Sequence, residues 1–113
     1  MDSILTSIKK LLGITAEYTQ FDADLIIHIN SVFSILTQLG VGPSTGFSIH
    51  DEYSVWTDFL PEDPRLEMVK TYVYLKVRLM FDPPDRSAVA DAMKRQIDEL
   101  EFRLNVAADQ VSQ

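Results

Sequence analysis

Histidine occurs twice in this sequence, at His28 and His50. Asp24 stands four residues before His28, so on a helix both side chains would share a face, a spacing that can place two ligands on one metal ion. The next turn of that face offers Ser31 and Val32, which leaves the pair without a third ligand. Asp24 and His28 therefore read as a capping or surface pair. His50 stands beside Asp51 and Glu52, with no second histidine near it, and reads as structural or solvated. Glu62 and Asp63 could be imagined as acid and base, but hydrolytic carboxylates need separation and unlike environments. Adjacent acids just before Pro64 suit the positive end of a helix instead. The glycines of "GVGPSTG" precede no Lys-Ser or Lys-Thr pair and stand in no strand–helix context, so they make no phosphate loop. There is no cysteine, which excludes a thiol nucleophile, a zinc–thiolate site and a disulfide framework. The expectation is a non-enzyme with no catalytic residue, no cofactor and no metal.

With chemistry set aside, composition bounds what remains. A chain of 113 residues, 46% of them hydrophobic and 24% charged, can bury one core and is not composed like a disordered protein. The net charge of −7 argues against sequence-specific DNA binding, because duplex affinity comes largely from Lys and Arg displacing counterions. The start, "MDSILTSIKKLLGI", lacks a continuous apolar stretch and is not expected to act as a signal peptide. No apolar run approaches the roughly 20 residues of a membrane span, so a soluble protein is expected.

The apolar pattern predicts an all-α bundle of about four helices in a single domain, residues 1–113. Ser3 can cap a first helix carrying Ile4, Leu5, Ile8, Leu11 and Leu12, closed by Gly13. A second begins near Asp22, with a seam of Leu25, Ile29, Val32, Leu36 and Leu39 at alternating steps of four and three, and ends at Gly40. A third follows Pro64 and runs to about Phe81. Its apolar residues almost encircle it, as in a helix covered by its neighbours, and "FDPPD" stops it. The fourth starts around Ser87, with Val89, Met93, Ile97, Leu100 and Leu104 as its seam. From 106 to 113 the chain is polar and small, and a flexible tail is expected.

Residues 40–60 break the helical period and form one long loop or arm between the second and third predicted helices. Gly42-Pro43 and Thr45-Gly46 are turn signals, and "FSI" with "YSVW" could be a short β-hairpin whose tip is Asp51-Glu52. About 20 residues without helix is long for a connector in a small domain, and such loops are often functional. Its aromatic and apolar content needs a surface. For Trp56 and Phe59 two surfaces are open: their own bundle, or a neighbouring subunit in which buried aromatics dominate the binding energy.

Four stretches, "HINSVFSILTQLGVGPSTGF", "WTDFL", "VKTYVYLKVRLMFDPP" and "AMKRQIDELEFRLN", in this order and spacing, resemble the small head–tail connector (head-completion adaptor) proteins of tailed bacteriophages. They are closest to the form found in long-tailed phages and prophages of Gram-positive bacteria. The resemblance spans residues 22 to 105. It implies a structural virion protein that forms a ring of about twelve copies beneath the portal protein, at the phage neck. That ring would extend the DNA channel, let genomic DNA pass without sequence-specific binding, and carry the next connector or stopper and the tail. It would be assembled in the host cytoplasm, away from membranes. Under this resemblance the arm is expected to pack on the adjacent copy through Val41, Phe47, Ile49, Tyr53, Val55, Trp56 and Phe59. Asn105, Val106 and Val111 would reach the portal, and Asp51 and Glu52 would line the channel. Without the resemblance, the residues also fit a small acidic cytoplasmic helical module, a regulator or antitoxin, that binds one protein partner.

Overall fold

The computed structural model describes residues 3–61 and 63–112, with side chains through residue 108. It is all-α, with five helices: α1 Ile4–Leu11, α2 Asp22–Gln38, α3 Trp56–Phe59, α4 Leu66–Phe81 and α5 Ser87–Ser112. Four are the predicted ones, and α3 lies inside residues 40–60, where a loop with a possible short hairpin was expected. The only β-type pairing among the described residues is a single bridge between Ser3 and Val55. The hairpin expected within 40–60 is thus replaced by irregular chain and one helical turn.

Local rules account for the helix ends. The Ser3 hydroxyl accepts from the Thr6 N–H at 3.2 Å and caps α1. Asp22 is the first residue of α2 and not its cap. Its carboxylate instead meets the buried Lys9 ammonium at 2.8 Å, and Lys9 also donates to the Ala16 carbonyl at 3.0 Å. That ion pair closes the α1–α2 connection from inside. At the far end of α2, Gly40 adopts φ +84, and the Gly40 and Val41 N–H groups bond to Thr37 O and Leu36 O. This doubly bonded left-handed ending needs glycine at its turning residue, and it places Val41 against Leu36 in the core. Asp63 accepts from the Arg65 backbone N–H at 2.8 Å, so it serves the start of α4 as the adjacent acids suggested. Glu62 lies outside the described residues.

The centre of the molecule is α4, which packs on both α2 and α5, while α1 touches α2 and α4. Val69, Tyr72, Val73, Leu75 and Val77 are buried along it, as its nearly all-apolar sequence required. Tyr72 brings one polar group inside, and its hydroxyl donates to Glu101 Oε2 on α5 at 2.6 Å. Helix α5 is longer than its seam indicated. It continues to Ser112, with Leu104 and Ala108 buried, so residues 106–112, expected as part of a flexible tail, are helical. Val111 lies in that last turn, with its side chain outside the described ones.

Candidate interaction site

The loop from residue 40 to 60 carries most of the residues singled out in the sequence. Asn30, half-buried on α2, fixes its middle. Its side-chain amide donates to Ile49 O at 2.9 Å, and its carbonyl oxygen accepts from Ile49 N–H at 2.7 Å. One side chain thus pairs both backbone groups of a residue in a loop, as a neighbouring strand would. The Trp56 indole N–H donates to Ser7 Oγ at 2.8 Å, and Ile4 N–H donates to Ser54 O at 2.9 Å, so α1 holds the returning limb. Asp58 reaches back to the Val55 N–H at 2.9 Å and starts α3.

Those bonds draw the aromatic residues inward. Phe33 of α2 is the hub, with ring centroids of Phe59 at 4.6 Å, Phe47 at 5.1 Å and Trp56 at 6.3 Å. Val41, Ile49, Trp56 and Phe59 are buried in their own chain, and Phe47 and Val55 are half-buried. Five of the seven side chains expected to pack on an adjacent copy are therefore packed in their own core, and Val55 is half-buried. The correction is physical: the loop's apolar surface is covered by α1, α2 and α3 of the same chain. Tyr53 is the exception, 78% exposed.

The loop tip, Asp51-Glu52-Tyr53, stands free on this scaffold. All three residues are exposed, and the Tyr53 N–H donates to Asp51 Oδ1 at 2.9 Å, which shapes the turn. Together with Leu5, Thr19, Asp22, Ile26 and His50, the three tip residues line a hollow of about 330 Å³. On another side of the molecule a groove of about 440 Å³ runs between α2 and α5 over α4. Ser31, Ile35, Lys76, Leu79, Met80 and Lys94 line much of it. A third exposed feature is the outer side of α5 near its end, where Phe102 is 70% and Val106 38% exposed, with Asn105 between them.

The chemical candidates come apart. Asp24 is exposed, and His28 is half-buried with its ring edge-on to Phe81 at 6.4 Å. Among the described residues no group of three His, Asp or Glu side chains is arranged to hold a metal ion. Both Asp63 carboxylate oxygens are engaged by Arg65, whose hydrogen bonds hold the acid below its usual range. Among the described residues no helix is long and apolar enough to cross a membrane. Sequence reasoning missed Asn30, whose one available signal was a polar residue one position beyond the buried seam residue Ile29.

No curated protein and no solved structure matches the chain. A protein-family model described as "Phage connector protein" matches residues 4–111, from the first residue of α1 almost to the end of α5. That match covers the loop, α1 to α4 and all but the last residue of α5, and extends the resemblance seen over residues 22–105 into the N-terminal helix. The chain belongs to the phage connector protein family.

Proposed function

We propose that this chain is a structural, non-catalytic component of the phage neck. In this reading it assembles as a closed ring of about twelve copies that continues the portal channel toward the tail. The observation that carries the reading is the connector-family match over residues 4–111. The exposed features of the fold are consistent with it. Tyr53, Met80 and Phe102 are large apolar side chains left 78%, 44% and 70% exposed on separate elements, each open to a neighbouring copy or component. In a ring each copy offers two different faces to its neighbours and its two ends to the components above and below.

Within that arrangement the outer side of α5 near its end, with Phe102, Asn105 and Val106, is the surface we assign to the portal. The test is particle mass with negative-stain imaging of the purified chain, alone and with the portal protein of the same phage. Rings stacked on the portal are the expected result. A chain that stays monomeric and unbound at saturating portal concentration overturns the reading.

A further inference from the structure

We infer that the contact closing the ring is the insertion of one copy's tip, Asp51-Glu52-Tyr53, into the next copy's α2–α4–α5 groove. This inference rests on the ring reading and specifies how that ring is joined.

The groove is lined by apolar side chains together with two lysines and two carboxylates. Leu79 and Met80 form part of the apolar lining, and Met80 is 44% exposed with nothing over it in the single chain. Lys76 and Lys94 contribute to its lining, and the exposed Arg95 follows Lys94. Of the two carboxylates in its lining, Asp98 and Glu101, the latter is already bound by the Tyr72 hydroxyl and lies 4.0 Å from Lys76. The tip is the counterpart: two carboxylates followed by an aromatic ring that is 78% exposed. Its backbone is fixed on both sides, by Asn30 at Ile49 and by Ile4 at Ser54, so little further ordering is needed on docking.

The charge of the whole chain is divided in the same sense. Residues 1–67 hold ten acidic and three basic residues, whereas residues 68–113 hold seven of each. An acidic half can therefore meet the half that holds most of the cations, which favours association between unlike faces over like ones.

Tip and groove lie on different faces, which permits a head-to-tail contact. The tip hollow uses Ile26 of α2, and the groove uses Ser31, Val32 and Ile35. At about 100° per residue these lie roughly 120° to 180° around the helix from Ile26. A copy cannot place its own tip in its own groove, and a two-fold pair is not required. Each copy gives with one side and receives with the other, the condition for a closed cycle. Channel lining by Asp51 and Glu52 is the competing placement.

Two measurements on the full chain, assembled with portal, test the contact. Lys94→Glu should weaken ring formation by roughly a factor of ten or more, and adding Glu52→Lys in the same chain should restore it. Both side chains are exposed, so helical circular dichroism should be unchanged. The chain has no cysteine, so a Tyr53→Cys, Met80→Cys variant under mild oxidation should give a ladder of covalent multimers. Rings that form normally in both charge variants and give no ladder overturn the tip–groove contact, and with it the assignment of this joint, while the ring itself stands. No ring under any condition removes the ring reading as well.

Discussion

Asn30 shows how much one side chain can decide in a loop. Ile49 is buried, so its N–H and C=O cannot turn to water, and both are satisfied by the Asn30 amide. Asn30→Ala would leave that pair without its partner, at about 1–3 kcal/mol. The expected readout is a lower unfolding free energy together with faster hydrogen exchange at the Ile49 amide. Tyr72 gives a second residue-scale prediction, this one in alkali. Burial first, and then the hydrogen bond to Glu101, push its phenol far above the usual value of 10. A phenol raised in the folded state supports stability fully below its unfolded pKa and loses that support as pH climbs through the range between the two values. Unfolding midpoints measured upward from neutral pH should therefore fall beyond about pH 10. In Tyr72→Phe the alkaline fall should be shallower, from a starting stability lowered by the lost hydrogen bond.

At the scale of elements, the long loop behaves as part of the core. Trp56, 3% exposed, packs near Phe33 and is bonded to Ser7, so Trp56→Ala should cost about 3–5 kcal/mol, seen as an early loss of helical circular dichroism in denaturant. A chain lacking residues 41–53 should lose stability for the same reason, since Val41 and Ile49 leave with it. Gly42 carries a related constraint. Its φ is +87, and a β-carbon there would overlap the Phe59 ring, so Gly42→Ala should destabilise by about 1–3 kcal/mol. The four long helices were legible because each repeats apolar residues at steps of three and four over several turns, and because Ser3, Gly40 and the Pro83-Pro84 pair mark their limits. The loop has no such period. Its course depends on Asn30, Ser7 and Phe33, which are 19, 49 and 26 residues from Ile49, Trp56 and Phe59, and nothing local in "FSIHDEYSVW" tells a strand from a pinned coil. The question left open for Trp56 and Phe59 is resolved in favour of their own bundle by those long-range bonds. Of the seven side chains expected to pack on an adjacent copy, Tyr53 alone is exposed.

At the scale of the molecule, the two proposed contacts are built from different forces and should respond differently to salt. The body is a slab, 43 × 35 × 20 Å, and its thin dimension is about two helix diameters. Helix α5, at 26 residues and about 39 Å, is nearly as long as the longest of these dimensions. Leu104 and Ala108 tie its end to the core, with Ala108 beside Gly40, which turns Phe102 and Val106 to the outside of the same turns. An apolar patch of this kind binds by burial and is little affected by ionic strength. The tip–groove contact matches Asp51 and Glu52 against Lys76 and Lys94 near the surface, where added salt screens attraction. Raising ionic strength should therefore loosen copy from copy before it releases the chain from the portal. Phe102→Asp should do the opposite. With Phe102 70% exposed, its replacement should change stability by no more than about 0.5 kcal/mol, yet reduce portal capture at every salt concentration. Titrating portal binding and ring mass in parallel against salt, for the natural chain and for Phe102→Asp, separates the two surfaces. If both contacts weakened together with salt and Phe102→Asp bound the portal normally, the end of α5 would not be the portal surface.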